Sequence, residues 1–272
     1  MPEAFVNNVG IRYREAGQGP ALVLIHGLGS SGQVWEGLFP ELSRTHRVIA
    51  PDLRGHGDSA KPRGPYSIRL LADDVVLLMD HLGIAAAAVC GLSMGGAIAQ
   101  VLAVERPERV EALVLEDTWA YPTPDMTRAL QARIADVRER GLAYYAESAI
   151  PRVFSASFQA ANPRVLEEYR ARILQLDPEA FQSVIRALAS FDLRGRLTVV
   201  RAPSLVVVGS EDRMTPLPHA EYISRQIPGA RLEVIPGAGH IPHLEAPDVF
   251  LGLLRGFLEA PSGGPAENQA AT

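Results

Sequence analysis

Cysteine is almost absent from the 272 residues; Cys90 stands alone. A single thiol closes no internal disulfide, so the chain carries no mark of an oxidising compartment. Lysine is as scarce. Lys61 is the only one, and arginine supplies the other basic side chains. That bias is common to GC-rich genomes and to some thermostable proteins. No apolar run reaches the roughly 18 residues that a membrane span needs. The opening MPEAFVNN also lacks the basic-then-apolar layout of a secretory signal. Together these absences give a cytoplasmic expectation with no membrane partner. Basic charge is not in excess either: 26 Lys and Arg against 31 Asp and Glu leave a net charge of −5. This argues against a nucleic-acid or polybasic membrane surface. No internal repeat is visible.

What is present describes an ordinary globular chain, 47 % hydrophobic and 21 % charged. Its length suffices to bury roughly three quarters of the unfolded surface, as one domain with an insertion or as two domains. The informative stretch is 84–105, IAAAAVCGLSMGGAIAQVLAVE. It reads as a buried strand, a sharp turn and a helix whose Ala97, Ile98, Val101 and Leu102 share one face. The turn is Gly91-Leu92-Ser93-Met94-Gly95. Its glycines let strand and helix approach closely, so Ser93 can occupy a strained backbone with its Oγ outward, at a helix N-terminus that favours negative charge. A glycine-rich strand–helix junction with no chemistry is the alternative.

Around this unit, short strands are expected at 4–8, 11–16, 21–25, 48–51, 110–116, 203–209 and 231–236, with the first turn at Asn8–Gly10. Ile68, Leu71, Val75, Leu78, Met79 and Leu82 mark a helix opened by Ser67 and closed by Gly83. Val34, Trp35, Leu38 and Leu42 carry another helical stripe, and further helices are expected at 218–227 and 247–258. This alternation predicts an α/β fold with a mostly parallel sheet covered on both faces. It fails between about Trp119 and Asp192, where helices follow one another, punctuated by Pro124, Gly141, Pro151, Pro163 and Pro178. The expected division is a core of residues 1–119 and 193–260, an inserted helical cap over 120–192 and a disordered tail over 261–272. A cap rooted at the carboxyl ends of the strands would roof a ligand site; a dimerisation arm is the other use of such an insertion, so a homodimer is open.

A serine hydroxyl needs a base, and the base an orienting acid. His240, in Gly237-Ala238-Gly239-His240 after a predicted strand, suits the base, with His243 as rival. Asp212 follows the 203–209 strand and suits the acid, ahead of adjacent Glu211, with Asp117 after the preceding strand as the alternative. Two backbone donors for an oxyanion are expected at Met94 and, in His26-Gly27-Leu28-Gly29, at Leu28. Trp35, Trp119, Tyr144, Tyr145 and Phe154 are the candidates to line a substrate pocket, each with plain cap packing as its other reading.

With HGLGS at 26–30, DLRGHGDS at 52–59, GLSMGG at 91–96, GSEDRMTP at 209–216 and GAGHIPHLE at 237–245, the chain resembles the α/β-hydrolase fold family from about Phe5 to Leu258. The resemblance implies an eight-stranded sheet and a serine hydrolase with nucleophile Ser93, acid Asp212 and base His240. It also implies no metal or organic cofactor, and structural roles for Asp52, Arg54 and His56. Within the family the chain is most similar to 3-oxoadipate enol-lactonases and small bacterial carboxylesterases, through GPYSIRLLADDVVLLMDHLG, PERVEALVLEDTW and RIADVRERGL…AIPRVFSASF. The lactonases take an acidic substrate and place an arginine where Arg152 stands, but an aromatic follows it where this chain has Val153. The expected activity is hydrolysis of a small carboxylic ester or lactone. Carbon–carbon cleavage or perhydrolysis by the same triad, or a non-catalytic receptor on this fold, are the other readings.

Overall fold

The computed structural model describes residues 1–260; the tail expected over 261–272 lies outside them. Eight strands build one sheet: β1 (Glu3–Val6), β2 (Val9–Ala16), β3 (Ala21–Ile25), β4 (Arg47–Pro51), β5 (Ala87–Leu92), β6 (Val110–Glu116), β7 (Ser204–Gly209) and β8 (Arg231–Ile235). Their order across the sheet is β1-β2-β4-β3-β5-β6-β7-β8. Only the β1–β2 and β2–β4 pairings are antiparallel; the others are parallel. The central strands β3 and β5 are apolar throughout because helices leave neither face to water. Every residue of β5 and β7 is buried, as are four of the five in β3.

Local chemistry sets the boundaries. Asn7 and Asn8 both take positive φ, 49° and 62°. This is the pair of left-handed positions that a two-residue hairpin requires, and it moves the turn one residue earlier than the Gly10 signal suggested. The helix Ile68–His81 begins where the Ser67 hydroxyl accepts the Leu70 N–H at 3.0 Å. Its stripe Ile68, Leu71, Val75, Leu78 and Met79 is buried. The stripe at 34–42 is not one helix: a 3₁₀ segment, Gly32–Leu38, passes into a single α-turn, Phe39–Leu42.

The helix Met94–Glu105 differs from its one-faced expectation, since residues Met94 to Ala103 are all buried. The buried residues include Gln100. Its amide nitrogen donates to the carbonyls of Gly96 and Trp119 at 3.1 and 3.0 Å, while its Oε1 is buried with no partner among the described residues. Between β6 and β7 come Pro124–Val153, Ala156–Ala161, Pro163–Leu174 and Pro178–Ala189, helices without a strand. Prolines 124, 163 and 178 sit in first turns, where a missing N–H costs nothing. Gly141 (φ 81°, ψ 174°) breaks the helical backbone inside the first of these helices, while Pro151 lies within its last turn.

Candidate active site

Ser93 joins the end of β5 to the helix Met94–Glu105 with φ 54° and ψ −112°. A non-glycine residue rarely adopts this conformation, at a cost of about 1–3 kcal/mol unless its surroundings enforce it. They do here. The Ser93 N–H donates to the Glu116 carbonyl at 2.8 Å, and the Thr118 hydroxyl donates to the Ser93 carbonyl at 2.7 Å. Gly95 makes the turn possible: a Cβ there would fall 2.0 Å from the Ile25 carbonyl oxygen. The serine side chain is thereby directed off the carboxyl edge of the sheet.

Two further strand ends deliver its partners. His240, five residues beyond β8, sets Nε2 3.0 Å from Ser93 Oγ and Nδ1 3.0 Å from Asp212 Oδ2. Its own N–H donates to the Val153 carbonyl at 2.8 Å, which ties the loop to the helix Pro124–Val153. Asp212, three residues beyond β7, accepts the N–H groups of Met214 and Thr215 on Oδ1 at 2.7 and 3.2 Å. The Thr215 hydroxyl donates to Oδ2 at 2.6 Å. Burial alone would raise the Asp212 pKa, but the neighbouring imidazole and these hydrogen bonds hold it well below the ordinary carboxylate range. Side chains distant in sequence thus form one hydrogen-bonded chain, Ser93–His240–Asp212.

The rival residues have other places. His243 is buried with Nδ1 2.9 Å from both Glu116 carboxylate oxygens, and it stacks on Trp35 at 4.0 Å. It is a core residue. Asp117 makes no hydrogen bond to His240; its Oδ1 accepts the Gly209 N–H at 3.1 Å.

Leu28 lines the cavity above Ser93, and Met94 is the first residue of the helix behind it. A Cβ on Gly27 would lie 3.4 Å from the Ser93 Cβ, so the β3 loop passes directly over the serine. His26 holds that loop: Nε2 accepts the Leu53 N–H at 3.0 Å, which leaves Nδ1 to donate to the Gly27 carbonyl at 2.7 Å. Burial lowers the His26 pKa to about 4, so the ring is neutral, as this tautomer demands.

The cavity and its mouth together hold about 710 Å³ of empty space, open solvent included. Ser93 and His240 form part of its floor, and Leu130, Tyr145, Tyr169 and Leu188 belong to its helical wall. Among the aromatic candidates, Trp119 and Tyr145 line it. Four expected lining residues are corrected. Trp35 is fully buried between His243 and Phe250, away from the cavity. Tyr144 is 41 % exposed beneath the Arg140 guanidinium. Phe154 packs on Phe158 and Tyr169 behind the wall. Arg152 donates to the Ser148 hydroxyl at 3.3 Å. In a helix, one position of error turns a side chain by about 100°, so composition could not tell Tyr144 from Tyr145.

Sequence reasoning missed Arg133 and Arg172, which both line the cavity. Among the described residues neither forms an ion pair; Arg133 reaches the Met214 sulfur at 3.3 Å. Nothing in a chain so rich in arginine singles them out.

A family model described as alpha/beta hydrolase fold matches residues 20–247. The 3-oxoadipate enol-lactonase 2 of Acinetobacter baylyi is 36 % identical over 245 residues, 89 % of this chain and 91 % of that protein. Among solved structures, the enol-lactonase from Burkholderia xenovorans LB400 superposes with a TM-score of 0.90 at 34 % identity, covering 94 % of this chain and 99 % of the other. A thermophilic esterase from Thermogutta terrifontis, with malate bound, superposes at 0.86 with 33 % identity, covering 92 % and 93 %.

Proposed function

The chain belongs to the α/β-hydrolase fold family, and from that membership we propose that it is a serine hydrolase cleaving a small carboxylic ester or lactone that bears a carboxylate. The observation carrying this reading is the Ser93–His240–Asp212 chain, with 3.0 Å at each step, opening into an enclosed cavity. Ser93 Oγ attacks the carbonyl carbon while His240 Nε2 takes its proton. Asp212 fixes the imidazole with Nδ1 protonated and stabilises its positive charge. The N–H groups of Leu28 and Met94 hold the oxyanion, each for about 10²–10³-fold in rate. His240 then protonates the departing oxygen, which in a lactone stays attached through the opened ring. Finally it draws a proton from the water that releases the acyl group from Ser93.

Arg133 and Arg172 supply the second half of the proposal. A guanidinium in a largely enclosed cavity without a carboxylate partner is costly. Burial pushes the Arg172 pKa down accordingly. A carboxylate on the substrate would complete the pairing. The enol-lactonase relatives and the malate-bound esterase support this direction.

The test compares turnover of short p-nitrophenyl esters, with and without a terminal carboxylate, and of 3-oxoadipate enol-lactone. The carboxylate-bearing compounds should have the higher kcat/KM, and Ser93→Ala should lower turnover by on the order of 10⁶. Near-normal turnover by that variant would remove Ser93 from the reaction, and a preference for the uncharged esters would remove the arginine pair from recognition.

A further inference from the structure

Three buried carboxyl groups, Glu116, Asp117 and Asp212, stand at the ends of β6 and β7, but only two buried imidazoles, His240 and His243, face them. Two pairs form. Glu116 takes both the N–H and the ring of His243, and Asp212 takes the ring of His240. Asp117 is the acid left over. Its Oδ1 accepts one N–H, from Gly209 at 3.1 Å. Its Oδ2 is buried and meets no N–H or hydroxyl donor among the described residues.

The two aspartates nonetheless lie close together. Asp117, Asp212 and His240 bring polar atoms within 4.8 Å of one another. Two carboxyl groups so placed can hydrogen-bond only if one carries the proton, and two sharing a dry site do not both ionise. The donors decide which one is charged. Asp212 receives two backbone N–H groups, the Thr215 hydroxyl and the imidazole, whereas Asp117 receives a single N–H.

We propose that Asp117 works as a neutral carboxylic acid that donates its O–H to Asp212, making it a positioning residue for the acid of the Ser93–His240–Asp212 chain. The titratable groups around it are consistent with this. Glu116 precedes it on β6, Asp212 lies beyond β7 and His240 beyond β8, while His219 of the helix Leu217–Gln226 acts on Asp212 rather than on Asp117. Burial, and then the Asp212 charge, push the Asp117 pKa well above its ordinary 3.8. The residue also holds φ 41°, a left-handed backbone that asparagine tolerates equally. An asparagine amide would offer Asp212 an N–H where the acid offers an O–H.

The experiment pairs Asp117→Asn with Asp117→Ala in the full chain. Infrared spectra at neutral pH should show the carbonyl stretch of a protonated carboxyl in the wild type and lose it in Asp117→Asn. Denaturant unfolding should show the wild type losing about tenfold in folding equilibrium constant, relative to Asp117→Asn, for each pH unit above 3.8. The sign follows because the unfolded acid ionises there while the folded one stays protonated. Asp117→Ala should lower kcat by about 10- to 100-fold with KM little changed, the worth of one hydrogen bond to a charged group, and Asp117→Asn should restore most of it. A carboxyl band that survives Asp117→Asn, or parallel stability curves, would overturn the proposal. Only the kinetic arm rests on the proposed function. Failure of Ser93 in catalysis would leave the infrared and stability results to decide the proton by themselves.

Discussion

At the scale of single residues, side chains that touch the substrate are distinct from those that hold them in place. Arg172 belongs to the first kind. Arg172→Met keeps much of the stem's packing and removes the charge. It should raise KM for a carboxylate-bearing ester by about 10- to 100-fold while leaving an uncharged ester nearly unaffected. Equal losses on both substrates would assign Arg172 to wall structure. Legibility at this scale was uneven. Ser93, Asp212 and His240 could be read because glycines and strand ends locate them. Asp117 was legible as a strand-end acid, but its closeness to Asp212 depends on how β6 and β7 lie side by side, and this spatial adjacency is not written in local sequence. Trp35 shows the converse. A large aromatic beside the oxyanion loop reads as a pocket residue, but its stacking on His243 places it in the core.

At the scale of elements, the signals that worked carry a local mechanism. Ser67 accepts the Leu70 N–H at the start of Ile68–His81. Ser67→Ala should therefore cost about 1 kcal/mol in urea unfolding, with activity unchanged. A neutral result would mean that packing of the apolar stripe alone sets this helix boundary. The stripe, the buried strands and the prolines at helix starts were all legible for similar reasons. The helix Met94–Glu105 was only half legible, because periodicity assumes a solvent face and this helix has none over its first ten residues. The interruption at Gly141 was legible as a glycine break, whereas the 3₁₀ path of Gly32–Leu38 was not, since its apolar stripe reads as an ordinary helix.

At the scale of the whole molecule, stability should depend on keeping two histidines neutral. His26 and His56 are fully buried, with their rings 5.0 Å apart. Burial lowers their pKa values from 6.5 to about 4 and about 3, helped at His56 by the neighbouring His26. The unfolded chain binds protons near 6.5 while the folded chain does not, so stability is lost as pH falls from there towards 4. Each histidine contributes about 1.4 kcal/mol per pH unit in that window. A protonated Asp117, as proposed, works in the opposite sense and offsets about one of these two, while His46 and His219, whose pKa values burial also lowers, act with them. Denaturation midpoints measured from pH 7 to 4.5 should therefore fall, and a flat profile would mean that these rings are hydrated in the native state. No helix among the described residues is long and apolar enough to cross a membrane.

The central claim is that His240 activates Ser93, and covalent labelling tests it most directly. A fluorophosphonate, followed by peptide mass analysis, should leave a single adduct on Ser93. Its rate of formation should fall by at least about 10³-fold in His240→Ala. An unmodified Ser93 in the folded wild type, or labelling as fast without the imidazole as with it, would contradict the account.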